Sequence, residues 1–348
     1  MERAKRASHM QRWGIGIPPS LSLKAIVDLV QQAEAAGAES VWVADIGRDI
    51  FTTLTTIAQN TSKVRVGAAV AICFARPPAL VQLAASDIDE LSQGRMVLGI
   101  GTAPPAWNEN WYSVPKHEKP IARMKEFAEV CRLMWRSDPR HPVEFTGRAL
   151  RIHGYSRMFP PVRERIPIYF GGMNLQMLRI TGEVADGWLG GGLTSPRFVA
   201  EVVREHIRAG LTKAGRQENE IEFVCPVSCA VSTDREQARA WARSHIAFYA
   251  NVSYYDIVLN LHGFQKETRE IRAAFARGDR VAAARAVSDE MIDTFMLAGT
   301  EEDCRSRVHA WAGCADVLSF RHTYFDPTIA PDSLPSAYRS LFAVARML

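Results

Sequence analysis

The chain has 348 residues, of which 47% are hydrophobic and 23% are charged, and its formal net charge is +4 at pH 7. A chain of this length and composition can bury one barrel core or the cores of two smaller domains, as soluble enzymes do. The small net charge argues against nucleic acid as the default partner. No apolar run reaches the roughly 18 to 20 residues of a membrane span, and no signal-like segment follows the basic leader. We therefore expect a cytoplasmic protein that binds neither nucleic acid nor membrane.

The stretch from Ala7 to Met10 looks like the remnant of a tag, with Met10 as the natural start. We interpret residues 1–10 as a tag or disordered leader and expect a single domain over residues 11–348. The six cysteines show none of the paired spacings of a zinc site, so we predict no metal centre. A disulfide scaffold is not expected in a chain of this size, and we predict that the cysteines are reduced.

In chain order, the first part of the sequence alternates short apolar runs with helical patterns. The unit from Lys63 to Thr102 shows this most clearly, because a strand, a break at Arg76-Pro77-Pro78, a helix and a continuously apolar strand follow one another. Such a strand is typical of a parallel sheet that is covered on both faces. The predicted strands are Trp13–Ile17, Ser40–Ala44, Val64–Val70 and Met96–Ile100, and the predicted helices are Leu23–Ala36, Ile50–Asn60, Ala79–Leu91 and His117–Trp135.

The second part resumes the alternation after a proline-rich stretch, in which residues around 143–152 predict a surface hairpin. Residues 234–296 are mostly helical in pattern and longer than a crossover needs, so we interpret them as an insertion. The remaining predicted strands are Ile166–Phe170, Asp186–Leu189, Ile221–Val231 and Val317–Phe320, with helices over 174–185, 196–214, 300–312 and 335–347.

Eight strand-like runs, most of them followed by a helix, predict an α/β fold, a (β/α)8 TIM barrel with a helical insertion late in the barrel. The alternative, an open doubly wound sheet, predicts a glycine-rich dinucleotide fingerprint after the first strand, and Gly14–Pro18 does not provide one. In a barrel of this kind the chemistry belongs at the carboxyl ends of the strands.

Several motifs in the same order resemble the luciferase-like monooxygenase superfamily. They are Asp45 after a Val-Trp-Val strand, the Leu54–Thr61 run, Asp89–Arg95, Leu98–Thr102 and Ala185–Trp188. Within that superfamily, Arg48, the Leu54–Thr61 run and the strand with Gly67 are most similar to the coenzyme F420-dependent branch that includes methylenetetrahydromethanopterin reductase. The resemblance extends from about residue 13 to residue 320 and is weakest in the insertion.

The resemblance implies a flat cofactor ring in the barrel mouth, of coenzyme F420 or, as the alternative, of FMN. It places Asp45 at the polar edge of the ring and a cis peptide bond between Ala69 and Val70 behind the ring. Asp45 taken alone would more often be a helix cap. The other implied cofactor contacts are Thr102, Ala103 and Asn108 beside the ring, and Gly171, Gly172 and Met173 as a phosphate loop at a helix start.

The same alignment suggests an apolar, aromatic substrate pocket formed by Ile46, Cys73, Phe74, Trp107 and Trp111. The tryptophans could equally be core residues, and we interpret His117 and His322 as solvated or core polar residues. Sugar-phosphate dehydrogenases of the family use a histidine after the strand-two acid and a glutamate in the strand-four loop, where this chain has Ile46 and Pro104. Oxidation of glucose 6-phosphate is therefore disfavoured.

The pterin reductases of the family carry a glutamate on the first strand, where this chain has Gly16. A catalytic acid must then come from Glu109, Asp49 or the Tyr112 phenol, or protonation comes from water. We predict a hydride transferase that uses coenzyme F420 to reduce an electrophilic C=C, C=N or C=O group of an organic metabolite. The alternatives are a monooxygenase that uses reduced FMN and O₂, and a non-catalytic flavin-binding protein. The family leads us to expect a homodimer.

Overall fold

The structure is a computed structural model that describes residues 11–115 and 119–348. The predicted leader at 1–10 and His117 lie outside the described residues. No helix in the described ranges is both long and apolar enough to cross a membrane.

Strands occur along the whole described chain. In chain order they are β1 (Arg12–Ile17), β2 (Ser40–Val43), β3 (Arg65–Ala68), β4 (Ala71–Ile72), β5 (Met96–Gly101), β6 (Val143–Thr146), β7 (Arg151–Tyr155), β8 (Ile168–Gly171), β9 (Gly187–Leu189), β10 (Glu222–Val231), β11 (Met296–Gly299) and β12 (Val317–His322).

Helices separate most of these strands. They are α1 (Leu23–Ala35), α2 (Ile50–Asn60), α3 (Pro78–Leu91), α4 (Pro105–Trp111), α5 (Pro120–Arg136), α6 (Leu175–Val184), α7 (Pro196–Phe198), α8 (Arg204–Ala214), α9 (Arg235–Ala250), α10 (Asp256–Leu261), α11 (Gln265–Ala276), α12 (Arg280–Arg285), α13 (Asp289–Phe295), α14 (Glu301–Arg307) and α15 (Leu334–Ala345). A π-helical turn, Val199–Val203, joins α7 to α8.

Parallel strands close into a barrel, as predicted. The ring runs β1, β2, β3, β5, β8, β9, β10 and β12, and it closes because β12 pairs with both β10 and β1. The hairpin predicted around 143–152 is present as the antiparallel pair β6 and β7, outside the ring.

The barrel interior below the mouth is filled by side chains from six different strands. Trp42, Val97, Tyr169, Leu189, Val224 and Val317 form a buried cluster separate from the larger core under the helices. Gly67 lies opposite Trp42 in the register of β2 and β3, and a Cβ on Gly67 would approach the indole to 2.3 Å. Glycine at this position therefore lets the indole pack inside the barrel.

Charged residues close the opposite, amino-terminal end of the barrel. The Glu222 carboxylate accepts hydrogen bonds of 2.7 Å from Arg12 and of 2.7 Å from Arg65, and it also accepts the Tyr169 hydroxyl. Burial alone would raise the pKa of Glu222, but the charge and hydrogen bond of Arg65, with help from Tyr169 and Arg12, lower it. Glu222 is therefore ionised at neutral pH.

One predicted strand was too long, and one strand was missed. The predicted strand Val64–Val70 ends at Ala68, and after a break at Ala69–Val70 the chain continues as the short strand β4, which pairs with the end of β5. The predicted insertion contains α9 to α13 but ends in β11, which runs parallel to the last residues of β10. Met296–Gly299 was missed because a short apolar run that directly follows a helix has no period of its own.

Candidate active site

A cavity opens at the carboxyl ends of the barrel strands, where this fold places its chemistry. Its wall includes Ile17 at the end of β1, Ala69 after β3, Leu189 in β9, and Ser319 and Arg321 in β12. The wall therefore comes from one side of the ring, from β9, β10, β12, β1, β2 and the end of β3.

The peptide bond between Ala69 and Val70 is cis, as the resemblance implied. The Ala69 N–H donates to the carbonyl of Val43 at 2.6 Å, which ties the break to β2. The Val70 side chain occupies space left by two glycines, because a Cβ on Gly101 would lie 2.5 Å from its Cγ2 and a Cβ on Gly171 would lie 2.7 Å from its Cγ1. Glycines at the ends of β5 and β8 thus allow Ala69 to line the mouth and Val70 to pack behind it.

Asp45 lies just beyond β2 and is buried, with 7% of its surface exposed. Its Oδ2 accepts the Ile72 N–H at 3.1 Å and pairs with the guanidinium of Arg76. The same guanidinium reaches the Asp49 carboxylate at 2.9 Å. Arg76 thus holds two carboxylates at the mouth. The sequence analysis did not predict this role of Arg76, although its position after the third predicted strand places it at the carboxyl end of the barrel.

Asp49 is the cap of α2, and its Oδ1 accepts the Thr52 N–H at 2.8 Å. Burial would raise the pKa of Asp49, but the hydrogen bonds from Thr52 and Arg76 and the charge of Arg76 lower it. Asp49 is therefore ionised at neutral pH and is not a proton donor, which corrects its place among the candidate acids. The capping role that we weighed for Asp45 belongs to Asp49.

The segment 102–112, which follows β5 and contains α4, carries seven of the predicted site residues and is stabilised by contacts within the segment. Ala103 has a left-handed backbone with φ of 54°, and Thr102 offers its carbonyl to the Asn108 side chain at 2.7 Å. The Asn108 carbonyl oxygen Oδ1 is buried without a hydrogen-bond partner among the described residues. Trp107 and Trp111 stack with ring centroids 4.6 Å apart, and Trp111 is 58% exposed. Trp111 is thus a surface residue and Trp107 is half-buried, so neither tryptophan belongs to the buried core.

The two other candidate acids are Glu109, within α4, and Tyr112, directly after α4, and their surroundings differ. Glu109 is exposed, and its side chain has no hydrogen bond to another described residue. Tyr112 is 37% exposed, and its pKa is raised by burial and by the Asp45 carboxylate against the lowering effect of Arg76. Tyr112 therefore stays protonated at neutral pH beside the Asp45–Arg76 pair.

The predicted substrate-wall residues do not line the cavity that the described residues form at the mouth. Ile46 is half-buried beside Asp45. Cys73 is completely buried, its thiol donates to the Gly101 carbonyl at 3.2 Å, and burial raises its pKa. Phe74 is 8% exposed and packs under the Arg123 guanidinium. Cys73 is thus a core residue and not a pocket residue, since a position at a strand end does not specify which side the side chain faces.

In the double-glycine loop, one of the N–H groups predicted to bind phosphate already has a hydrogen-bond partner. The Met173 N–H donates to the Tyr254 hydroxyl at 2.8 Å, and the Gly172 carbonyl accepts from Trp188 Nε1 at 2.8 Å. Helix α6 begins only at Leu175, with Asn174 as its cap. One donor of the predicted phosphate loop is therefore already bound by a tyrosine of the insertion.

A second glycine run after β9 faces the same insertion. The Gly192 N–H donates to the Tyr255 hydroxyl at 3.1 Å, and a Cβ on Gly192 would lie 2.0 Å from the Tyr249 ring. His245 is buried behind this loop, and burial together with the charge of Arg321 lowers its pKa to about 3. These contacts were missed because they join residues more than fifty positions apart.

His322 is a buried polar core residue, in agreement with the prediction. Its Nε2 accepts the Val231 N–H at 2.9 Å, while its Nδ1 lies 2.8 Å from the Thr323 carbonyl. Burial lowers its pKa, so the ring is neutral at physiological pH.

These features define a TIM-barrel protein with its candidate site at the carboxyl ends of the strands, around a non-prolyl cis peptide bond. The family model described as luciferase-like monooxygenase matches residues 7–315. The chain belongs to the luciferase-like monooxygenase family.

Curated relatives and a solved structure agree with this assignment. The chain is 33% identical over 321 residues to a 5,10-methylenetetrahydromethanopterin reductase of Archaeoglobus fulgidus, covering 88% of this chain and 92% of the relative. It is 30% identical over 305 residues to the enzyme of the same name from Methanolobus tindarius, covering 85% and 89%. The structure of the coenzyme F420 dependent tetrahydromethanopterin reductase from Methanopyrus kandleri superposes with a TM-score of 0.81 at 22% identity, covering 97% of each chain, and supports the fold.

Proposed function

We propose that this protein is a coenzyme F420-dependent oxidoreductase that delivers hydride to an electrophilic C=C, C=N or C=O carbon of an organic metabolite. The observation that carries the proposal is the similarity of the chain, over most of its length, to methylenetetrahydromethanopterin reductases, together with a cavity at the barrel mouth that has Ala69 in its wall.

The residues at the mouth fit a planar ring. Gly101 and Gly171 admit the Val70 side chain, so that the backbone of Ala69 forms part of the cavity wall. The orphaned Oδ1 of Asn108 would be an acceptor in reach of a ring donor after a small rotation of its amide. The residues proposed to hold the coenzyme are Asp45, Ala69, Val70, Thr102, Ala103 and Asn108 around the ring, and Gly171, Gly172 and Met173 toward its phosphate.

When bound, reduced coenzyme F420 supplies a hydride from the central carbon of its ring. The protein's task is to hold the acceptor carbon against that face and to keep water out. As the acceptor carbon gains the hydride, the electron pair of its double bond moves to the partner atom, which then takes up a proton. We propose the Tyr112 hydroxyl as the donor of that proton, because Tyr112 is protonated at neutral pH while Asp49 is ionised.

The stacked pair Trp107 and Trp111 and the half-buried Ile46 support an apolar or aromatic acceptor. Arg76, the cation beside Asp45, already holds two carboxylates and is therefore not available to the phosphate of a sugar phosphate.

The family description favours one second candidate, a monooxygenase that uses reduced FMN and O₂. Titration of the purified protein with coenzyme F420 and with FMN separates the two. We expect saturable binding of coenzyme F420 and much weaker binding of FMN. Tight FMN binding without affinity for coenzyme F420 would support the monooxygenase, and bound coenzyme that no acceptor oxidises in a single turnover would support a non-catalytic carrier.

We also propose a homodimer. On the outer face of α3, Leu80 and Leu83 are 60% and 44% exposed, and Met158 and Phe159 are 87% and 76% exposed. Hydrogen bonds from Gln82 to Tyr155 and from Arg163 to Asp89 hold the segment 155–163 along α3. The exposed apolar side chains therefore lie on one side of the barrel, as an interface between copies requires.

A further inference from the structure

Arg321 is the single permanently charged side chain in the wall of the mouth cavity within the described residues. It lies on β12 opposite Ser228 of β10. Its Nε donates to Ser228 Oγ at 3.3 Å and its Nη2 donates to the Gly191 carbonyl at 3.4 Å. Both partners are neutral, and both contacts are long for charge-assisted hydrogen bonds.

The groups around Arg321 provide no negative charge. Among the described residues no aspartate or glutamate forms an ion pair with it, and the cavity wall contains no acid. Burial raises the pKa values of the Tyr324 and Tyr338 phenols, and burial lowers the pKa of the His322 ring. All three are therefore neutral at physiological pH. A half-buried guanidinium without a counterion is costly, and an anion that enters the cavity would remove that cost.

The neighbouring strand leaves room for this side chain. A Cβ on Gly16 of β1 would lie 3.1 Å from the Cβ of Arg321, so a larger residue at this position would crowd the arginine. Ala69 lies in the wall of the same cavity, where the ring is proposed to stack. A group bound to Arg321 would therefore share the cavity with the reacting face of the coenzyme.

We infer that Arg321 binds a carboxylate of the hydride acceptor, so that the substrate is an organic acid. This inference rests on the proposed function for the identity of the acceptor. The planar fork of a guanidinium matches the two oxygens of a carboxylate. The rest of this wall is largely apolar, with Leu189, Val224 and Pro226, and suits the carbon skeleton of an acid better than a phosphate, which would require further donors.

The test compares acids with their neutral amides. Binding of acetate, benzoate and cinnamate, and of the three corresponding amides, is measured by calorimetry on the wild type, Arg321→Gln, Arg321→Lys and the control Arg277→Gln. The control removes the same charge from an exposed position after α11. Thermal melts verify that each variant is folded, and coenzyme F420 is titrated separately, without any acid present.

We expect at least one acid to bind the wild type and the control roughly ten- to a hundredfold more tightly than its amide. Arg321→Gln should abolish this preference, Arg321→Lys should keep part of it, and both should bind coenzyme F420 as the wild type does. The inference is overturned if no acid is preferred over its amide, if the preference survives Arg321→Gln, or if Arg321→Gln weakens only the coenzyme. A failure of the proposed function would show instead as absent coenzyme binding by the wild type.

Discussion

The Val70 side chain occupies the position that a side chain on Gly101 would need, since a Cβ there would lie 2.5 Å from Val70 Cγ2. Gly101→Ala should therefore destabilise the protein by about 1 to 3 kcal/mol through overpacking, and it should weaken coenzyme binding. The double variant Val70→Ala/Gly101→Ala should recover part of this loss, because the smaller residue restores the space. Chemical denaturation of the wild type, Val70→Ala, Gly101→Ala and the double variant measures this coupling. Strictly additive changes in the free energy of unfolding would contradict the proposed packing.

Tyr112→Phe should lower turnover by about two to four orders of magnitude if the phenol donates the proton, with little change in coenzyme binding. Because the pKa of Tyr112 is raised, turnover by the wild type should not fall through ionisation of this phenol below about pH 10. Steady-state kinetics from pH 6 to 10 with an accepted substrate provide the measurement.

The rival donor is tested by Glu109→Gln, at an exposed position of the same loop region. Retained turnover in Glu109→Gln alongside a loss in Tyr112→Phe assigns the proton to the tyrosine. The reverse pattern would assign it to the glutamate, and full activity in both variants would point to water.

Tyr254→Phe removes the hydroxyl that accepts the Met173 N–H. If the Gly172–Met173 loop binds the coenzyme phosphate, freeing this N–H should tighten binding of the intact coenzyme several-fold and leave its phosphate-free riboside unaffected. Tyr255→Phe is the matched control, because it breaks a similar bond to Gly192 in the neighbouring loop. If Tyr254→Phe changes the affinities for the coenzyme and for the riboside equally, the Gly172–Met173 loop does not bind the phosphate.

Glu222 makes the free energy of unfolding depend on pH. Its pKa in the folded protein lies below its ordinary value of 4.5, so its contribution to stability is complete above that value and is lost as the pH falls toward the folded pKa. Denaturation between pH 6 and 3 should show that Glu222→Gln is less stable than the wild type at pH 6 and loses less stability on acidification. Glu201→Gln, which alters an exposed pair with Arg197, should behave as the wild type does.

The proposed dimer predicts that Leu83→Glu/Phe159→Glu is a monomer. Val281→Glu places the same charge at a residue that is 62% exposed on α12, away from the proposed interface, and should leave the mass unchanged. Sedimentation equilibrium distinguishes the two forms. A monomeric wild type, or a double variant that keeps the wild-type mass, would refute the interface.

The barrel could be predicted from sequence because its strands are short, continuously apolar runs bounded by glycine, proline or a helix signal, which is the pattern of a doubly covered parallel sheet. The cis peptide bond at Ala69–Val70 followed from family resemblance alone, since two small apolar residues carry no local signal for it. Cys73 was placed wrongly because the break after Ala68 changes the direction in which later side chains face.

Long-range contacts at the site had no signal in the sequence. The hydroxyl that occupies the Met173 N–H comes from Tyr254, eighty-one positions further along. Arg321 directly follows an apolar run, and the local sequence therefore predicts only a polar residue at the end of a strand. Arg321 is of interest because no acidic side chain among the described residues pairs with it. Which side chains lie near Arg321 is determined by the closed barrel and not by a local sequence motif.

Strand β10 continues beyond the ring and takes β11 as an additional partner through the register from Ser228–Met296 to Val231–Gly299. Residues 232–295, between β10 and β11, are therefore connected to the barrel at their C-terminal end by main-chain hydrogen bonds as well as by side-chain packing. The segment that supplies Tyr254 and Tyr255 to the loops after β8 and β9 is thus held in the sheet at both of its ends, by β10 and by β11.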